Sequence, residues 1–136
     1  MSHRQVFPVT MESVDAVGIV FFGAYWNWFE STFEGLIAEL SGSSWREVLA
    51  SGLAMPVVHA EVDYKHPLKL SEEVVVEMRL DKVGSRSVHF HAEFHNASGE
   101  LVAEARTVNV VVGTDGMSQV DIPLWLVGSV AEDGTR

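Results

Sequence analysis

The chain has 136 residues, a length that suits one domain with a single hydrophobic core. Its 9 basic and 19 acidic side chains give a formal net charge of -10, which argues against a broad phosphate-binding surface for nucleic acid. The absence of cysteine excludes disulfides, thiol catalysis and zinc sites with cysteine ligands.

The sequence also argues against a membrane role. No apolar run reaches the roughly 18 residues needed to span a bilayer, and the N-terminus, MSHRQ, has no signal-peptide core. Together with the lack of cysteine, these features predict a cytoplasmic protein with neither membrane nor nucleic acid among its partners.

The first half of the chain changes from strand to helix periodicity. Alternating residues predict a strand over 4–14, and a glycine-containing loop follows over 15–23. A helix is then predicted from about Gly23 to Leu40, with Gly42 as its stop. Its buried stripe, the most aromatic in the chain, consists of Tyr25, Trp28, Phe29, Thr32, Phe33, Leu36, Ile37 and Leu40. We expect a core helix with a sheet packed around it.

The second half is dominated by strands. Ser44 and Glu47 have capping-box spacing and predict a short helix that Gly52 ends. The strands that follow are predicted at 56–66, 73–82, 86–95 and 100–112. The segments between the last three are short enough for hairpin turns.

The order of elements predicts an α+β fold in which a curled antiparallel sheet wraps one long central helix. Residues 1–128 are expected to form this single domain. Residues 122–126 are expected to pack as a short turn, and 129–136 to form a frayed tail.

A lone acid precedes the long helix. Asp15 lies in VDAVGIVFFGAY, an otherwise almost wholly apolar stretch. The first turn of a helix offers unpaired backbone N–H groups and the positive end of the helix dipole. Such groups stabilise a thioester oxygen under attack, while a nearby carboxylate serves as nucleophile or general base. An aspartate that merely caps the loop or the helix is the competing interpretation.

The segment VDAVGIVFFGAYWNWFE resembles the opening of hot-dog-fold acyl-CoA thioesterases of the 4-hydroxybenzoyl-CoA thioesterase family. The residues that carry the resemblance are Asp15, Gly18, Val20, Phe21, Phe22, Tyr25 and Glu30. The similarity continues through PVVHAEVDYKHPLKLSEEVVVE to about residue 112. It implies that Asp15 is the catalytic carboxylate and that the Phe22 backbone N–H polarises the thioester carbonyl. Ser13 stands where the family often has a second acid, which leaves the support of Asp15 open.

Aromatic residues at the helix start and one strand histidine are candidates for binding the acyl group. Gly23, Tyr25 and Trp26 lie at the helix start, where the aromatic rings suit a flat acyl group or a medium aliphatic chain. His59 resembles a histidine of some naphthoyl-type thioesterases of this group and is a candidate for the acyl pocket. The alternative is an ordinary strand histidine.

Two bases flank a predicted hairpin turn, DKVGSR. Lys82 and Arg86 align with the turn that contacts the nucleotide part of coenzyme A in the family, and positive charge at one turn suits its phosphates. Two solvated turn residues are the alternative interpretation. The family further implies a homodimer or homotetramer in which each site uses residues of two subunits.

Two other groups of ionisable residues require an interpretation. Glu30 is a second candidate acid, because some members of the wider fold use a helix-borne glutamate, but its place off the core stripe fits a solvated or interface acid. His89, His91 and His95 share one face of a strand. We predict no metal there, since no acid or cysteine at ligand spacing joins them, and expect an interface or a solvated face.

These observations predict an acyl-CoA thioesterase that acts on an aromatic acyl-CoA such as 4-hydroxybenzoyl-CoA, with neither cofactor nor metal. One alternative is a thioesterase for 1,4-dihydroxy-2-naphthoyl-CoA or for short or medium aliphatic acyl-CoA. Another is a non-catalytic module that binds acyl thioesters or acyl carrier protein. Dehydratases of the same fold typically need a histidine near the helix start, and residues 13–25 contain none.

Overall fold

The structure, a computed structural model, describes residues 1–130. Its strands are β1 (Ser2–Pro8), β2 (Leu53–Ala54), β3 (Val57–Tyr64), β4 (Glu73–Val83), β5 (Ser87–Asn96), β6 (Leu101–Val110) and β7 (Val112–Gly113). Its helices are α1 (Ala24–Ser41), α2 (Trp45–Ala50) and α3 (Leu124–Val127), and a single 3-10 turn lies at Met11–Ser13. None of these helices is long and apolar enough to cross a bilayer.

Five strands form one antiparallel sheet in the order β1-β4-β5-β6-β3. The consecutive hairpins β4-β5 and β5-β6 make its centre, and β1 and β3 are its edges. The short strands β2 and β7 pair separately. Every residue of β3 is exposed except the half-buried Val62, so one edge of the sheet has no cover within the described chain.

The long helix α1 packs on one face of this sheet. All eight residues of its predicted stripe are buried, and Leu36 and Ile37 are completely so. They meet alternate residues of the central strands, including Met78 and Phe90, because side chains two apart on a strand share a face. Burying each large apolar side chain contributes roughly 1.5–3 kcal/mol, so this layer holds α1 against the sheet. The arrangement confirms the predicted α+β architecture.

The residues predicted to end α1 and to begin α2 have those roles in the structure. The Gly42 N–H donates to the Ala38 carbonyl at 3.0 Å, and its φ of +73° is the left-handed conformation that glycine adopts without strain. At the start of α2 the Ser44 hydroxyl accepts from the Glu47 N–H, and the Glu47 carboxylate accepts from the Ser44 N–H. Both bonds of the capping box are therefore present.

Some predicted bounds were wrong. The first strand ends at Pro8 rather than at residue 14, because proline has no N–H for the ladder and the chain then turns, with the Ser13 N–H donating to the Thr10 carbonyl. The strand predicted over 100–112 breaks at Val111, after which β7 leaves the main sheet for β2. The frayed tail does not begin at residue 129, since Val130 packs against the core, and its residues 131–136 lie outside the described residues.

Candidate active site

Residues 13–21 form a small hairpin that leads into α1. Val14 and Val20 pair in antiparallel fashion, and the Phe21 N–H donates to the Ser13 carbonyl at 3.1 Å. The tip is a tight turn in which the Gly18 N–H donates to the Asp15 carbonyl at 3.0 Å. Gly18 has a φ of +79°, which a residue with a Cβ adopts only with strain. The hairpin thus holds Asp15 at one fixed point ahead of the helix.

The Asp15 carboxylate organises this tip. Its Oδ1 accepts from the Val17 N–H at 2.9 Å and from the Ile19 N–H at 3.1 Å. The side chain is exposed, and within residues 1–130 its Oδ2 accepts no hydrogen bond. Oδ1 therefore caps the loop, as the competing interpretation expected, while Oδ2 is available for catalysis.

The first turn of α1 has no side-chain cap among the described residues. Its N-cap residue is Gly23, and the turn contains no acid. Ala24 and Trp26 donate to the carbonyls of Phe21 and Gly23. Among the described residues, the N–H groups of Phe22 and Gly23 have no acceptor. Two free donors at a positive helix end are a ready site for an oxyanion.

A cavity of about 330 Å³ opens beside these donors. It is lined by Ile19, Val20, Phe22, Tyr25, Tyr64, Lys65, His66 and Pro67. Its wall is largely apolar and aromatic, with two bases at its rim, which is the composition expected of a small-molecule site. A larger cavity of about 430 Å³ lies between β1 and α1, but its lining is more polar and does not include Phe22 or Tyr25. We therefore place the candidate site at the smaller cavity.

The aromatic residues near the predicted substrate site differ in how deeply they are buried. Tyr25 is buried and meets the rings of Tyr64 and Phe94 edge-on, at centroid distances of 5.2 and 5.4 Å. Burial, with a smaller effect from Tyr64, raises the pKa of Tyr25 to about 12, so its hydroxyl stays protonated at neutral pH. Phe22 is 74% exposed at the cavity mouth. Trp26 is half-buried and packs edge-on against Phe29.

Three predicted site residues are not brought to the helix start within this chain. The turn that carries Lys82 and Arg86 lies at the opposite end of the strands from the Asp15 hairpin, which instead contacts Leu68 and Leu70 just ahead of β4. His59 projects from the sheet face opposite to Tyr64, because the two differ by an odd number of positions on β3. Its ring bonds to Glu61 at 3.1 Å.

The prediction for the strand face that carries three histidines was partly wrong. His89, His91 and His95 do share the sheet face away from α1, as predicted, but acids join them. The Nε2 of His91 lies 2.7 Å from the Glu104 carboxylate, and Glu93 is close enough that these three residues form a group of metal-ligating type. The hydrogen bond with His91 is the main cause that lowers the pKa of Glu104, and Arg106 adds to it. Glu93 lies on the same strand as His91, two positions away, and the prediction overlooked it, whereas Glu104 joins the cluster only through the register of β5 with β6.

Glu30 lies on the exposed face of α1, as expected of an acid off the core stripe. Partial desolvation raises the pKa of its carboxyl. Within residues 1–130 its carboxylate makes no hydrogen bond or ion pair with the Asp15 hairpin.

Sequence reasoning missed three residues of the site, Tyr64, Lys65 and His66. Tyr64 is the last residue of β3, Lys65 and His66 follow it, and all three line the cavity beside Phe22. Their positions follow from the pairing of β3 with β6, which is a tertiary property. The available sequence indication was the segment DYKHP, where a tyrosine and two bases precede a proline at a strand end.

Comparison with known proteins identifies the family of this chain. The family described as the Thioesterase-like superfamily matches residues 9–130. A 1,4-dihydroxy-2-naphthoyl-CoA hydrolase of Prochlorococcus marinus (strain MIT 9303) is 25% identical over 132 residues, covering 89% of this chain and 87% of its own length.

Solved structures share the fold. The crystal structure of Slr0204, a 1,4-dihydroxy-2-naphthoyl-CoA thioesterase from Synechocystis, superposes with a TM-score of 0.85 at 19% identity, covering 97% of each chain. A mutant 4-hydroxybenzoyl CoA thioesterase complexed with 4-hydroxybenzoyl CoA superposes with a TM-score of 0.83 at 16% identity, covering 93% of this chain and 96% of the other. With the family match spanning nearly all of the described residues, the chain belongs to the Thioesterase-like superfamily, and the predicted hot-dog fold and enzyme class, a thioester hydrolase, are confirmed.

Proposed function

We propose that the protein hydrolyses an acyl-CoA to the free acid and CoA at the start of α1. The observation that carries the proposal is the start of α1, where the Phe22 and Gly23 N–H groups have no acceptor within residues 1–130 and follow directly on the Asp15 hairpin. These N–H groups receive the thioester oxygen and stabilise the negative charge that develops during attack.

Asp15 supplies the second half of the chemistry. Its free Oδ2 either attacks the thioester carbon, giving an anhydride that water then hydrolyses, or takes a proton from the attacking water. In both cases the carbon–sulfur bond breaks and the thiolate of CoA leaves and takes up a proton. This chemistry calls for no metal or redox cofactor.

The exposed edge of the sheet supports assembly into at least a dimer. Strand β3 offers unpaired backbone groups along its length, and Val57 and Val58 on it are 46% and 60% exposed. An uncovered edge of this kind is a template for pairing with another chain. A second copy joined at β3 by a twofold axis would pair antiparallel and extend the sheet, and pairs of such dimers would give the tetramer.

Antiparallel pairing of this kind would also give Lys82 and Arg86 a role. It places the partner's 84–86 turn at the same end of the joined sheet as the Asp15 hairpin, although the two are at opposite ends within one chain. A long ligand would then bind its acyl end on one subunit and its phosphates on the other. Two local bases in a protein with a net charge of -10 favour an anion at this point.

The cavity favours a flat acyl group. Phe22, Tyr25 and Tyr64 present rings to it, and rings of this kind bind aromatic groups by edge or offset contacts. The similar proteins named above act on dihydroxynaphthoyl and hydroxybenzoyl thioesters, according to their names. We therefore propose an aromatic acyl-CoA, with 4-hydroxybenzoyl-CoA and 1,4-dihydroxy-2-naphthoyl-CoA as the leading candidates.

A substrate panel tests the proposal. The two aromatic thioesters are compared with butyryl-CoA and octanoyl-CoA by kcat/KM, following release of the CoA thiol. Because the protein has no cysteine, a thiol reagent reports CoA without background from the enzyme. We expect the aromatic esters to be preferred by at least tenfold. Preference for the aliphatic esters would refute the aromatic assignment, and binding without hydrolysis would support a non-catalytic module.

A further inference from the structure

One side-chain hydrogen bond joins the edge strand β3 to the start of α1. Tyr64, the last residue of β3, donates its hydroxyl proton to the Phe22 carbonyl at 2.8 Å. Among the described residues no backbone N–H donates to this carbonyl, and Ala24 and Trp26 donate to the carbonyls of Phe21 and Gly23. Tyr64 is therefore the partner that the carbonyl has within the described chain.

The bond fixes the orientation of a whole peptide group. The Phe22 carbonyl and the Gly23 N–H belong to the same trans peptide, in which the C=O and N–H bonds point in opposite directions. Anchoring the carbonyl on β3 thus directs the Gly23 N–H away from the strand. Residues 21–24 form a turn closed by the Ala24 N–H, and the Gly23 φ and ψ of -75° and -20° are those of a type I turn. In that turn the N–H groups of Phe22 and Gly23 point the same general way, as at the start of a helix.

This site needs such an anchor. Phe22 is 74% exposed, and Gly23 lacks the Cβ that restricts other residues, so their shared peptide has little else to hold it. Oxyanion donors accelerate a reaction only when they are oriented before the charge develops. The Tyr64 ring is itself held edge-on against Tyr25, which gives the hydroxyl a defined position.

We infer that Tyr64 is a positioning residue that orients the Phe22 and Gly23 N–H groups as a pair of oxyanion donors. The inference rests on the function proposed above and adds Gly23 as a second donor. The Tyr64 hydroxyl bonds to the Phe22 carbonyl, so we assign it an effect exerted through the peptide.

The first test is Tyr64→Phe, which keeps the ring and removes the hydroxyl. Losing one donor outright costs roughly 100-fold or more in turnover, so loosening the pair should lower kcat about tenfold while KM changes by less than about twofold. Ser51→Ala is the matched control: it removes a hydroxyl that donates to a backbone carbonyl, that of Val48, at the end of α2. We expect it to leave kcat unchanged. Wild-type kcat in Tyr64→Phe, or an effect confined to KM, would overturn the inference.

The second test reads the thioester carbonyl directly. Infrared difference spectra are taken on Asp15→Asn and on Asp15→Asn/Tyr64→Phe, which we expect to bind the ester without turnover. The ligand is 4-hydroxybenzoyl-CoA with ¹³C at the thioester carbonyl. We expect binding to lower the carbonyl frequency in the first protein and to lower it less in the second. Equal shifts would overturn the inference. If the wild type is active, Asp15→Asn is inactive and Tyr64→Phe is fully active, only the positioning role of Tyr64 is rejected. If the wild type hydrolyses no ester of the panel, the proposed function and the inference are both overturned.

Discussion

Asp15 combines two roles that substitution can separate. Its Oδ1 holds the hairpin tip through the Val17 and Ile19 N–H groups, and its Oδ2 is available for catalysis. Asparagine keeps an oxygen for the two N–H groups but loses the charge, the basicity and the nucleophilicity of the carboxylate. Alanine loses both functions. Comparing Asp15→Asn with Asp15→Ala therefore distinguishes chemistry from loop structure.

The expected losses of kcat and of thermal stability can be estimated for both variants. Both variants should lose on the order of 10³-fold or more in kcat, as expected when an essential group is removed. Two hydrogen bonds at an exposed loop are together worth about 1–2 kcal/mol, because water replaces part of what alanine removes. An unfolding entropy of about 2.1 cal/mol/K per residue gives about 0.29 kcal/mol/K for 136 residues. Asp15→Ala should then lower Tm by roughly 3–7 °C, and Asp15→Asn by much less.

The assays are CoA thiol release for kcat and thermal unfolding followed by circular dichroism for Tm. Asp15→Asn with more than about a tenth of the wild-type kcat would refute Asp15 as the catalytic carboxylate. Equal Tm values for wild type and Asp15→Ala would refute its role in the hairpin. The two results are independent, so either can fail alone.

Three further predictions concern other parts of the molecule. Val58→Lys puts a charge on the exposed β3 edge and should yield monomers with little activity, measured by light scattering with size-exclusion chromatography; a fully active oligomer would contradict assembly at this edge. Arg86→Ala should raise KM for CoA esters several-fold more than it lowers kcat. The control, Arg46→Ala at an exposed position of α2, should alter neither KM nor kcat, and equal effects of the two substitutions on KM would contradict phosphate binding at the turn. Because His91 lowers the pKa of Glu104, this carboxylate stabilises the fold above its ordinary pKa of about 4.3 and stops doing so as pH falls through its lower folded value. Glu104→Gln should therefore lower Tm most near pH 7 and least near pH 3, and a pH-independent difference would contradict stabilisation by the ionised Glu104 carboxylate.

The sequence predicted those features that depend on residues close together in the chain. The buried stripe of α1, the stop at Gly42 and the capping box at Ser44 each depend on spacings of three or four residues. Turn and hairpin residues likewise placed β4, β5 and β6 to within a few positions. The sequence also identified Asp15 and the helix start as the candidate site, through a motif contained within some sixteen residues.

The contacts between residues far apart in the chain depend on how the strands and the helix pack in the folded protein. The Tyr64 bond to Phe22 spans 42 positions, and the contact of His91 with Glu104 depends on which residues of β5 and β6 face each other. Alternation along one strand says which face a side chain occupies, but the register with the neighbouring strand says which side chains it meets. Register is set by packing of the whole sheet on α1. For that reason the sequence alone determined the helix, the strands and the acid before the helix, and only the folded sheet determined what surrounds them.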